Sequence, residues 1–280
     1  MPELETKRYP RKGGNGSLLL LLFLVIICVA VISAQTGFPV LFIDGPLPKP
    51  QATIEPLPQV SASPANTMQT IARQSWYAIQ VGSYETESEA KTAADQLRAR
   101  GGAGYIYKSG SYRLMVSCYP TQEEAESVRQ SLISNGEFDS PALYHFVSDE
   151  IRLSIVATPV QASALSQSYT LLPEMINELS RLSLALDRNT MDAASVRAAA
   201  ATNYTRIRSL IELMNTALGD VKSPIVTPFL DLLGACANAM DQLQQSTGDT
   251  LSLSSQLKYD HLDILCQFIN YVQKMGEFGT

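Results

Sequence analysis

The sequence predicts an α+β protein: a β-α-β-β-α-β unit over residues 75–148, an all-α helical bundle over residues 149–280, and one transmembrane helix ahead of both. Three patterns carry that reading. Short β-branched and aromatic runs alternate with period two between residues 76 and 147, apolar residues recur at three- and four-residue spacing beyond residue 160, and a long uncharged run stands near the N-terminus.

Residues 18–34 carry no charge and one polar side chain, Ser33, and an apolar patch resumes over residues 38–43. A helix needs roughly 20 apolar residues to cross a hydrocarbon core, so residues 17–43 are assigned to a membrane anchor. Lys7, Arg8, Arg11 and Lys12 precede it, and no basic residue follows until Lys49. The positive-inside rule makes residues 1–16 a basic cytoplasmic tail and puts the chain beyond the anchor outside the cytoplasm, as a single-pass protein of the cell membrane. A cleaved signal peptide ending at Ala34 is the alternative. Ile32 fits the cleavage pattern poorly, and Ile27 stands where a lipoprotein signal would carry a small residue before Cys28.

Residues 44–74 are rich in Pro, Ser, Thr, Ala and Gln, with Pro46, Pro48, Pro50, Pro56, Pro58 and Pro64 breaking any regular element. They read as an extended linker. At about 3 Å per residue such a spacer carries the next domain several nanometres from the membrane.

The run from Trp76 to Val81 is a strand ending at Gly82-Ser83. Thr86-Glu87-Ser88-Glu89 is a capping box, followed by an apolar stripe of Ala90, Ala93, Ala94 and Leu97 that stops at Gly101-Gly102. Residues 104–108 make a second strand, Ser109-Gly110 marks a hairpin, and residues 112–119 make a third. Thr121-Gln122-Glu123-Glu124 caps another helix, with Ala125, Val128, Leu132 and Ile133 on its apolar face, and residues 142–147 form the last strand.

Beyond residue 150 a brief alternation over residues 151–155 gives way to helical spacing. Leu172, Met175, Ile176, Leu179, Leu182 and Leu186 line one helix; Ile207, Leu210, Ile211, Met214 and Leu218 a second. Ser223-Pro224 starts a third with Val226, Phe229, Leu230, Leu233, Ala237 and Met240, and Leu257, His261, Ile264, Leu265, Phe268 and Val272 line a fourth. These stripes suggest an antiparallel bundle.

A net charge of −6 provides no basic field for nucleic acid. The four cysteines, Cys28, Cys118, Cys236 and Cys266, include no C-x-x-C pair and have no histidine at zinc-ligand spacing, so no metal is expected. Cys236 and Cys266 read as two buried thiols or, in an exported chain, a disulfide. Asp260, His261 and Asp263 read as the wet edge of an amphipathic helix, with His261 at the core edge. Neither a nucleophile elbow nor a phosphate loop occurs, so no enzyme and no cofactor are expected.

Residues 75–148 resemble the SPOR (sporulation-related repeat) domain family. The segment Trp76-Tyr77-Ala78-Ile79-Gln80-Val81-Gly82-Ser83-Tyr84 looks like the family's opening strand with its Gln-x-Gly-Ser-aromatic hallmark, and Tyr112-Arg113-Leu114-Met115-Val116 resembles its Tyr-Arg-Val strand. Ser117-Cys118-Tyr119 departs from the family's Gly-Pro-aromatic sequence at that point. The resemblance implies a ferredoxin-like fold whose open sheet face holds peptidoglycan strands, especially strands stripped of stem peptides. Period-two alternation then puts Trp76, Ala78 and Gln80 on the open face, joined by Arg113, Met115 and Ser117 from the third strand. Gln80 can donate to and accept from sugar hydroxyls, and Arg113 can meet a lactyl carboxylate. Ser83 and Tyr84 would close one end of the groove. Tyr144 would stack on a sugar unless the register turns His145 outward instead.

These readings converge on a membrane-anchored protein of the bacterial envelope that binds denuded peptidoglycan glycan strands in division, sporulation or wall maintenance. The alternative is an extracytoplasmic scaffold whose helices recruit a partner protein or self-associate. RNA recognition shares the element order but fails on the acidic charge, the missing basic-aromatic run and the location outside the cytoplasm. A wall hydrolase would need a nucleophile-base pair or metal set that the C-terminal half does not offer.

Overall fold

The computed structural model describes residues 63–219 and 223–278. The tail, the anchor and most of the linker lie outside the described residues, among which no helix is long and apolar enough to cross a membrane. The elements are β1 (Ala65–Ile71), β2 (Gln74–Tyr84), α1 (Glu87–Arg98), β3 (Tyr105–Ser109), β4 (Ser111–Tyr119), α2 (Gln122–Ser134), β5 (Ala142–Ser148), β6 (Ile151–Ala157), α3 (Pro159–Asp187), α4 (Ala193–Leu218), α5 (Val226–Gln245) and α6 (Thr250–Phe278). A β-sheet region is thus followed by a helical C-terminal part.

Strands β2 to β5 form one antiparallel sheet in the order β3-β4-β2-β5, with α1 and α2 as its crossovers. Local chemistry sets the boundaries. Thr86 and Thr121 accept from the backbone N–H of Glu89 and Glu124 at 3.3 and 3.2 Å, starting α1 and α2 where the sequence predicts. Gly110 alone joins β3 to β4 at φ +75°, a conformation side chains rarely adopt.

Residues 65–71, read as the end of the linker, are instead strand β1, paired antiparallel with β6 from Ala65↔Ala157 to Ile71↔Ile151. The alternation of Gln69 and Ile71 is short, and its partner lies some eighty residues away in the chain, so local periodicity does not reveal the pairing. The chain then enters α3 through a full capping box: Thr158 accepts from the Gln161 backbone and Gln161 accepts from the Thr158 backbone.

The sheet is buried on both faces. On one, Ile79, Leu114, Val116 and Tyr119 pack with Ala94, Leu97 and Ala125 of α1 and α2. On the other, Trp76, Ala78, Met115, Cys118 and Phe146 join the core of α3 to α6. The expectation of an open face is therefore corrected. Helix α6 is apolar on most of its circumference, burying Leu253, Leu257, Leu262, Leu265, Phe268 and Val272 among others, because it faces both its sister helices and the sheet. Burying Met115 and Phe146 in this seam contributes about 1.5–3 kcal/mol each.

Candidate functional site

Two irregularities in the β2–β4 pairing decide which side chains share a face. Ile79 pairs with Ser117 and Gln80 with Met115, which leaves Val116 as an extra residue in β4; Gln80 and Gly82 then pair with Met115 and Leu114, which leaves Val81 extra in β2. Each is a β-bulge. The first turns Ser117 away from Arg113 and Met115 to the face of Ile79, where it is buried and hydrogen-bonded to Tyr119.

What stays together is a cluster at the hairpin end of the sheet. Arg113 donates from Nη1 to Oε1 of Gln80 at 3.0 Å, and its guanidinium lies 5.4 Å from the Tyr144 ring centre. Tyr107, directly opposite Arg113 in β3, tilts against Tyr144 at 5.4 Å. Gln80, Arg113, Tyr107 and Tyr144 are all half-buried. Burial, the neighbouring Tyr144 and a hydrogen bond with it push the Tyr107 hydroxyl up to about 12, so it stays a neutral donor at physiological pH. Arg113 Nε is sealed from solvent without a hydrogen-bond partner.

The register settles the fourth strand. Tyr144 pairs with Ala78 and so shares the face of Gln80, whereas His145 pairs with Tyr77 and stacks on it from the other side at 4.5 Å. Ser83 is exposed opposite Arg113 and hydrogen-bonds Ser111 at 2.8 Å. Tyr84 belongs to the helix-facing core and lies over Gly82, where an added Cβ would come 2.8 Å from Cε2 of the ring. The Gly-Ser-aromatic motif thus has a packing cause: with glycine at 82 the ring lies where any Cβ would push its end aside. Met115, wholly buried beneath α6, and Ser117 and Tyr84, on the opposite side, stand outside the exposed cluster. Tyr107 belongs to it and was missed; its alternation with Tyr105 opposite Arg113 was the available signal.

Next to this cluster runs the seam between sheet and α6. His261 meets Trp76 edge to face at 4.8 Å, and burial pushes its imidazole down to about 3. Asp260 is held up at about 7, first by burial and then by Asp263. Neither His261 Nε2 nor Asp260 Oδ2 has a partner. His261 is thus inside the core, not at its edge. Cys118, Cys236 and Cys266 are free and buried, so Cys236 and Cys266 are two separate thiols, each pushed up to about 12 mainly by burial. Among the described residues no group of three or more His, Cys, Asp or Glu side chains is arranged to hold a metal ion.

The arrangement brings a guanidinium, an amide and two phenols together on one face of the sheet. Residues 65–140 match the family model described as SPOR domain. The match begins at β1 and ends before β5, and the C-terminal helices have no family match. No curated protein and no solved structure matches the chain.

Proposed function

We propose that this protein is a membrane-anchored peptidoglycan-binding protein of the bacterial envelope, acting in cell division, sporulation or wall maintenance. The SPOR domain match supports peptidoglycan binding. The observation that carries the residue-level reading is the contact of Arg113 with Gln80 and Tyr144 on one face of a ferredoxin-like sheet. Arg113 offers charge-assisted hydrogen bonds to a lactyl carboxylate freed by stem-peptide removal. Gln80 and the Tyr107 hydroxyl meet sugar hydroxyls and N-acetyl groups, and the Tyr144 ring offers a face to a sugar ring.

The anchor rests on the uncharged run of residues 18–34 and the four basic residues before it. A reporter fused after Thr280 should be active only in a form that requires export; full activity of a cytoplasm-only reporter would sink the orientation.

The binding test is co-sedimentation of the purified chain with sacculi, with and without amidase treatment. Each lost hydrogen bond is worth about 0.5–3 kcal/mol, depending on charge. A Gln80→Ala, Arg113→Ala double variant should then bind amidase-treated sacculi about tenfold or more weakly. Its melting temperature should stay close to the parent's. Equal retention of variant and parent would remove these two residues from the site.

A further inference from the structure

The glycan surface and helix α6 occupy the same face of the sheet. Met115, next to Gln80 in register and on the same face as Arg113, is wholly covered by the helix, and the exposed remainder of the cluster is half-shielded. We infer that α6 is a releasable cover on the glycan surface, displaced when a glycan strand takes up the whole face. This regulation rests on the reading that the face binds glycan.

Three features of the seam support release. The first is its connection to the rest of the chain. Residues 74–148 join the β1–β6 ribbon and the bundle only through Ala72-Arg73 and Asp149-Glu150, four exposed residues that form two adjacent short links. The links sit side by side because Gln74 pairs with Ser148 and Ile71 with Ile151. Such a pair of links can act as a hinge that parts the sheet from α6 along the seam and leaves the packing of α1 and α2 on the other face intact.

The second feature is imperfect filling. His261 Nε2 is buried without a partner where α6 meets Trp76. Replacing an unpaired buried polar group by an apolar one of similar shape is neutral or stabilising, so a permanent seam gains nothing from this residue. It weakens docking.

The third is the position of the polar hold. Ser255 Oγ donates to the Gly102 carbonyl and Lys258 Nζ to the Gly101 carbonyl, both at 2.8 Å, and Lys258 also pairs with Asp187 at 2.8 Å. These directional bonds cluster at one edge of the sheet, where β3 begins. The remainder of the seam is largely apolar and non-directional.

The cysteines provide the test. Cys266 lies in the seam, hydrogen-bonded to Tyr105, whereas Cys236 lies inside the bundle, and both are buried. The full chain in detergent is mixed with saturating amidase-treated sacculi, pulsed with a maleimide, and the labelled peptides are quantified by mass. Release predicts that glycan accelerates Cys266 labelling by about tenfold or more, equivalent to a shift of roughly 1.4 kcal/mol in opening. Cys236 labelling should not change, which separates lifting from unfolding. Lys258→Met should raise both Cys266 labelling and sacculus retention, and His261→Leu should lower both. Retention with unchanged Cys266 labelling overturns the cover while leaving the glycan reading intact. Absence of retention by the parent and by Lys258→Met alike overturns both.

Discussion

The two faces of the sheet are built from similar material and fastened differently. The face toward α1 and α2 is closed by Ile79, Leu114 and Val116 against helices that belong to the same β-α-β-β-α-β unit. The face toward α6 is closed by Trp76, Met115 and Phe146 against a helix more than a hundred residues further along the chain. The first seam is formed by crossovers that cannot leave; the second contains unpaired polar groups and a latch at one edge. Burial alone does not distinguish a core face from a docking face. The polar groups left over do.

The largest expected effect asks whether the second seam is a true core. Phe146→Ala should cost about 3–5 kcal/mol of unfolding free energy, as aromatic truncations in packed cores do. A loss under about 1 kcal/mol, the range of surface substitutions, would mean that α6 is not seated on the sheet in solution. Urea melts of parent and variant decide it.

A smaller effect tests two buried titratable neighbours on α6 by pH. Asp260 is raised in the folded state to about 7, so the native chain holds a proton that the unfolded chain releases, and its contribution to stability is lost as pH rises through that value. His261 is lowered to about 3, so the unfolded chain binds the extra proton, and its contribution is lost as pH falls below the ordinary histidine range. The two slopes oppose each other between about pH 4 and 6.5. The parent should therefore be nearly flat there. His261→Leu should leave stability falling with rising pH, and Asp260→Asn should leave it rising, each by at most about 1.4 kcal/mol per pH unit. Parallel profiles for the two variants would show that these groups do not titrate as buried groups.

The smallest effect belongs to the helix-facing side. Gly82→Ala should push the end of the Tyr84 ring aside at a cost of about 1 kcal/mol, the low end for overpacking, with Gly82→Ala, Tyr84→Ala recovering part of it. No recovery would mean that Gly82 is needed for its backbone alone.

Much of this architecture was legible in residue order. Thr86 and Thr121 marked their helices because an N-cap is a local interaction, and Gly110 marked its hairpin for the same reason. The pairing of β1 with β6 was not legible, since neither strand is long and nothing local links them. Of the candidate site, Gln80 and Arg113 do meet, as alternation suggested, and Tyr144 joins Arg113 through a register that the sequence left open. Ser117 was misplaced because a bulge at Val116 shifts the alternation by one, and bulges leave little trace in sequence. The covered face did leave a trace: Trp76, Ala78 and Met115 are a poor composition for a wet surface, and that apolar face already called for a partner.

The β1–β6 ribbon has a mechanical consequence. Its outermost rung joins Ala65, where the linker arrives, to Ala157, one residue before the cap of α3. In an anchored chain bound to the wall, tension from the membrane reaches that rung first. A pull across the ribbon opens its rungs in sequence, each giving up little. If the chain is anchored and wall-bound as proposed, the ribbon is a short mechanical fuse in series with both, limiting the force on the sheet while its rungs open.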